Sequence, residues 1–348
     1  MPHTRRAVLA TCLVGLVVGA LFLFAPPRAI PAKVESPGYR VLKTITLGGT
    51  TGWDYVSMDS TNRHLFIGRM DYMDVVNVDT GKLAAKLTGM PGVHGILLIP
   101  QLNRGFTVNV TKTSHSSTIL NLKTLQKIKT IDPGPFPDSY AYDPGTKRAF
   151  IMESDAKEGT AISAVTGKVI GQIPFGGQPE FCVADGKGHI FVNITDKNQM
   201  LEFDARTLKV LHRWSLGPCE GASGLSMDLV NRRLFTACDN EKMVVMNADN
   251  GKIVADLPTG AGNDCSLFDP YTHNAFASSG GCGSLTVIHE FSPDDFRVVQ
   301  TVRTEASART MALDTKTHNI LLVGARYGHG YNHADILPHT FNVIVVGK

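Results

Sequence analysis

The chain is predicted to be all-β: a seven-bladed β-propeller of four-stranded blades, its ring closed by an N-terminal strand that joins the C-terminal blade. Three observations predict this. A unit of about 42 residues recurs along the chain. Each unit holds four short apolar runs separated by Asp, Asn, Gly and Pro. The last unit is one strand short, and a matching strand stands at the other end of the sequence.

The repeat is clearest at 216–262. There Leu225-Ser-Met-Asp228, Asn231 to Cys238, Lys242 to Asp249 and Lys252 to Leu257 follow one another as strand, turn, strand. The aspartate closing the first run recurs as Asp59, Asp143, Asp185, Asp228, Asp269 and Asp314, with spacings of 84, 42, 43, 41 and 45. The first gap is a double one. A divergent unit fills it, with Gly95 to Ile99 and Arg104 to Asn109 as its strands and Ile99 in place of the aspartate. Asp79-Thr-Gly81 and Asp249-Asn-Gly251 are tight turns into fourth strands, with glycine where positive φ is needed. The final unit offers Met311–Asp314, Ile320–Val323 and Phe341–Val346, and Tyr39 to Leu47 supplies its missing fourth strand. Pairing the two ends removes an exposed sheet edge. The propeller is therefore placed at 39–348.

Residues 1–32 are separate. A basic start (Arg5, Arg6) precedes 7–25, which carry no charge, and then a Pro-rich stretch ending at Ala32. This is an export signal, read either as a cleaved signal peptide or as a membrane anchor. The expected location is periplasmic or extracellular. Membrane contact is expected only through the N-terminal segment. The net charge is +3, and Arg5, Arg6 and Arg28 account for it. Removing those three from 34 leaves 31 basic residues against 31 acidic. A neutral body disfavours nucleic acid, which demands a basic stripe for phosphate contacts.

The residues Met58-Asp59 to Phe66 with Val76 to Lys82, Asp143-Pro to Phe150, and Asp228 to Phe235 with Asn247 to Lys252 resemble the YncE-like, YVTN-repeat propellers of bacteria. The resemblance covers 39–348. It implies the propeller architecture and says little about activity, because fold does not give function. Similar repeats occur in lactonase-type propellers and resemble the propeller subunits of quinoprotein amine dehydrogenases.

In a propeller the first strand of each blade lines the central channel. The residue five places before each anchor should then ring one mouth. Counting back gives Asp54, His94, Asp138, Glu180, Ser223, Asp264 and Arg309. Four converging carboxylates repel one another unless a cation offsets them. Arg309 is one such cation, and Ca²⁺ held by oxygen ligands is another. Trp53, beside Asp54, is a candidate for stacking on a ligand. Loops after the second strands add a second circle: Arg69, Asn109, Glu153, Asn193, Asp239 and Arg326. The long loop 326–339 reads as a lid, and its His329, His333 and His339 are candidate metal ligands with His94 or His115.

Five cysteines lie in the body. Cys219 with Cys238, and Cys265 with Cys282, are candidate disulfides; Cys182 reads as a buried strand residue. No Gly-x-Ser-x-Gly, His-Glu-x-x-His or phosphate loop is present. The leading expectation is an exported accessory module of the cell envelope that binds a small molecule or an envelope protein at the mouth. The alternative is a lactonase-type hydrolase with a cation at the mouth. The third is an electron-transfer partner subunit.

Overall fold

The computed structural model describes residues 38–329 and 335–348. Residues 1–32, read above as an export signal, and His333 lie outside the described residues. Seven four-stranded antiparallel sheets make the ring. Blades 1 to 6 span 56–87, 93–131, 137–174, 179–215, 222–258 and 263–303, each with its strands in chain order from the channel outward. Blade 7 runs Thr310–Asp314, Asn319–Gly324, Asn342–Gly347 and then Arg40–Thr46, so the N-terminal strand does supply the outer edge of the last blade. Its entry is clamped by Tyr39, whose backbone N–H donates to Gln300 Oε1 at 3.0 Å while Gln300 Nε2 donates back to the Tyr39 carbonyl at 2.7 Å.

Burial explains the composition of each strand. Second and third strands such as Arg233–Cys238 and Met73–Asn77 are buried on both faces and mostly apolar or small, with Arg233 and Asp74 as buried charges. Fourth strands such as Lys82–Leu87 and Val210–Ser215 face solvent and carry Lys, Arg and His. The core is divided into clusters between blades, for example Phe106, Val108 and Ile119 of blade 2 against Ile151 and Ile162 of blade 3.

The anchor aspartates explain why the repeat is legible. Each is buried and caps the turn at the face opposite the mouth: Asp59 accepts from the N–H groups of Thr61 and Asn62, Asp228 from those of Val230 and Asn231. Four residues after five of the six anchors the backbone turns left-handed, with φ of 62° at Arg63, 52° at Arg232 and 59° at His318. At these three positions the side chain reaches back to the preceding blade's anchor. Arg63 pairs with Asp314, Arg232 with Asp185, and His318 with Asp269. The aspartate spacing therefore records a seam between blades.

Candidate functional site

The seven residues counted back from the anchors do converge at one mouth, and all seven are half-buried. Local geometry explains their direction. In blades 2 to 6 the first strand slips register where the rim residue sits, between Val93 and Gly95, Pro137 and Tyr140, Pro179 and Cys182, Ala222 and Leu225, and Asn263 and Cys265. A β-bulge of this kind re-aims a side chain out of the pleat.

Neighbouring blades hold the rim in place. The Asp54 carbonyl accepts from Thr310 Oγ1 at 2.7 Å, that of His94 from the Tyr55 N–H at 3.0 Å, and that of Asp264 from Ser223 Oγ at 3.0 Å. The Ser223 carbonyl accepts from Asn193 Nδ2 at 2.8 Å, that of Glu180 from the Ser139 hydroxyl, and that of Arg309 from the Ser278 hydroxyl. Six rim carbonyls are thus fixed by the blade before them.

The side chains form an asymmetric network. Arg309 lies 3.0 Å from Asp264 Oδ2 and 3.5 Å from Asp54 Oδ1. Ser223 Oγ donates to Asp264 Oδ1 at 3.0 Å. His94 Nδ1 is 3.0 Å from Asp54 Oδ2. Asp138 joins that pair: ligand atoms of Asp54, His94 and Asp138 lie within 4.8 Å of one another. Among the described residues no Lys or Arg pairs with Asp138 or Glu180.

Burial and crowding favour protons here. Burial, reinforced by the Asp54 charge, raises the Asp138 carboxyl to about 7. Burial and then the charges of Asp138, Asp264 and Asp54 push Glu180 well above the usual carboxylate range. Burial also raises Asp264, with Arg309 opposing it. For His94 burial disfavours the charged ring, but the bond to Asp54 and the charges of Asp54 and Asp138 outweigh it, so its pKa is raised.

Beneath the rim, Tyr55, Tyr140 and Phe181 close in on the axis, with Tyr55 ring centroids 5.8 Å from Tyr140 and 4.9 Å from Phe181. They border an axial cavity of about 180 Å³ together with Cys265 and Met311. A larger cavity of about 320 Å³ opens at the mouth beside Asp264, Arg309 and Asp239. Sequence reasoning missed the aromatic floor. Applying the same count to the next two positions would have found it, since Tyr55 and Phe181 stand four before their anchors and Tyr140 three before.

The outer circle needs correction. Arg69, Glu153, Asn109 and Asn193 are buried: the last three lie on second strands covered on both faces, and Arg69 directly follows one. Arg69 binds Asp74 at 3.1 Å and the carbonyls of Thr51 and Gly52, and its guanidinium lies 3.6 Å from the Phe341 ring centre, so it braces the segment leading into Asp54. Asn193 supports the Ser223 backbone. The Glu153 carboxyl is pushed up to about 8 by burial. Arg326 is exposed in the 326–339 loop, and Asp239 is the member of this circle that borders the mouth cavity. Trp53 is fully buried between Tyr327 and Phe341, so it is a core residue and no stacking platform.

The loop histidines also part company. His329 is exposed and pairs with Asp335, and His115 pairs with Asp132. Cys219 and Cys238 form a disulfide, their Cα atoms 5.5 Å apart. Cys265 and Cys282 do not: Cys265 turns inward, its thiol donating to the Met311 carbonyl, while Cys282 is exposed in the turn after the second strand. Cys182 is buried and free.

The fold and site define a seven-bladed β-propeller with a charged mouth. No family model matches the chain, and no curated protein does. Solved structures share the fold. U3-55K aligns with a TM-score of 0.73 at 9% identity, over 88% of this chain and 98% of that one. A chain of the mitotic checkpoint complex aligns at 0.72 and 10%, over 96% and 99%. A chain of Kuenenia stuttgartiensis hydrazine synthase aligns at 0.67 and 13%, over 78% and 92%. At these identities the likeness is one of fold.

Proposed function

We propose that this propeller is a binding module of the cell envelope that takes a positively charged ligand, free or presented by an envelope protein, into its mouth. The observation that carries the reading is the charge imbalance there. Asp54, Asp138, Glu180 and Asp264 converge on the rim, Arg309 pairs with Asp264 and Asp54, and among the described residues no Lys or Arg pairs with Asp138 or Glu180. A cation placed near Asp138 and Glu180 stabilises the charged forms that burial, reinforced by the neighbouring carboxylates, now disfavours. The aromatic floor suits the same class of ligand. One structural neighbour is a chain of the mitotic checkpoint complex, which is consistent with a partner-binding scaffold. The envelope location rests on the character of 1–32.

A thermal-shift panel of amines, basic peptides and divalent cations tests this. At least one class should raise the melting temperature of the wild type and leave the Asp138→Asn/Glu180→Gln double variant unmoved. A panel without any such difference sinks the reading.

A lactone-type hydrolase is the second reading, favoured by the adjacency of His94 to Asp54 and Asp138, a set able to move protons or polarise a carbonyl through a bound cation. Turnover of a lactone panel that is abolished by a chelator would move the assignment to it.

A further inference from the structure

Asp54, His94 and Asp138 occupy the same register in blades 1, 2 and 3, three consecutive channel strands. Their ligand atoms lie within 4.8 Å of one another, with His94 Nδ1 and Asp54 Oδ2 at 3.0 Å. Donors bound at about 2.1 Å to one ion stand about 3–4 Å apart, so the trio needs little movement to close on one. Its backbone is already fixed: Thr310 holds the Asp54 carbonyl, the Tyr55 N–H holds that of His94, and the Asp54 N–H donates to the Gly68 carbonyl at 3.2 Å. Gly68 itself has no room for a side chain, since a Cβ there would fall 2.0 Å from the His94 carbonyl oxygen. Strand ends tied in this way are preorganised for a demanding geometry. The second observation is the uneven supply of positive charge. Arg309 approaches from blade 7 and serves Asp264 and Asp54, while no Lys or Arg among the described residues pairs with Asp138 or, next around the ring, Glu180.

We propose that Asp54, His94 and Asp138 bind a divalent transition-metal ion. The donor set chooses the metal class. Two carboxylates and one imidazole suit Zn²⁺, Mn²⁺ or Fe²⁺, whereas Ca²⁺ prefers an all-oxygen shell. Three protein ligands leave coordination positions facing the mouth, where water or a ligand donor completes the shell. This inference rests on the reading of the mouth as a cation site and narrows it to a metal.

The full chain, freed of metal with chelator and desalted, is titrated with Zn²⁺ and with Mn²⁺ by calorimetry, and with Co²⁺ to read its visible d–d bands. One equivalent is expected to bind, with Co²⁺ bands typical of mixed N,O ligation. His94→Gln, which keeps a polar side chain of similar size, and Asp138→Asn should each weaken binding about tenfold or more, with wild-type melting curves in metal-free buffer. No stoichiometric uptake by the wild type, or equal uptake by both single variants, overturns the metal site. If metal fails while amines or basic peptides still distinguish wild type from the Asp138→Asn/Glu180→Gln variant, the metal inference falls and the cationic mouth stands. If all classes fail, both fall.

Discussion

Arg63 and Asp314, 251 residues apart in the chain, meet at 2.6 Å across the seam between blade 1 and blade 7. The side chain of Asp314 is 2% exposed and that of Arg63 12%. The pair thus locks the ring at the face opposite the mouth, beside the joint where the N-terminal strand closes blade 7.

Arg63→Ala leaves the Asp314 carboxylate buried without its main cation and should cost about 3 kcal/mol. Denaturant melts at pH 7 check it, and a midpoint equal to wild type would rule out the lock. The pH dependence has a defined sign. Burial disfavours charge on Asp314, but hydrogen bonds from Arg63, Thr317 and the Lys316 N–H outweigh it and hold the group down to about 2. A depressed carboxylate contributes stability above its unfolded pKa, and that contribution is lost as pH falls from about 4 toward 2. The gap between wild type and Arg63→Ala should accordingly narrow over that window.

Glu153 should behave in the opposite way. Its carboxyl is fully buried without a well-formed hydrogen bond, and burial raises it to about 8. The folded chain therefore holds a proton that the unfolded chain releases near 4.5, so stability declines as pH rises from about 4.5 to about 8. Glu153→Gln should flatten that decline and be more stable than wild type at pH 9 by on the order of a few kcal/mol. Parallel melting profiles for the two proteins from pH 5 to 9 would refute it.

The thiols sort by burial. In the native, non-reduced chain a water-soluble thiol reagent should label Cys282 quickly and reach Cys182 and Cys265 only after unfolding. Burial raises the latter two thiols to about 12. Replacing Cys219 and Cys238 together by Ala should lower stability by about 2–4 kcal/mol. Mass mapping that finds Cys265 joined to Cys282 would contradict the arrangement.

Gly95 lets the aromatic floor form. A Cβ there would fall 2.7 Å from Tyr55 Cβ and 2.9 Å from Tyr140 Oη. Gly95→Ala should displace both rings, cost about 1–3 kcal/mol, and change the near-ultraviolet dichroism of tyrosine. A spectrum and melting point matching wild type would show that the floor has slack.

The repeat was legible because its markers do local work. Asp59 and its equivalents cap turns within a few residues, and the residue four places on adopts a left-handed backbone in five of the six, so sequence neighbours alone impose the spacing. Strand number, blade number, ring closure by 40–46 and the seven rim positions all follow from that periodicity. The sequence by itself therefore determined the architecture and the members of the mouth. Only the tertiary structure decided what those members face. Arg69, Glu153 and Asn193 look like loop ligands along the chain, but packing of blade against blade buries them. Trp53 stands next to Asp54, yet Tyr327 and Phe341 from the far end of the chain enclose it. Cys265 lies near Cys282 in sequence, and its thiol points to the next blade instead. Side-chain direction at the mouth depends on bulges and on bonds between residues 30 to 256 positions apart. Contacts of that range leave no local pattern to read, because they form only when the ring closes.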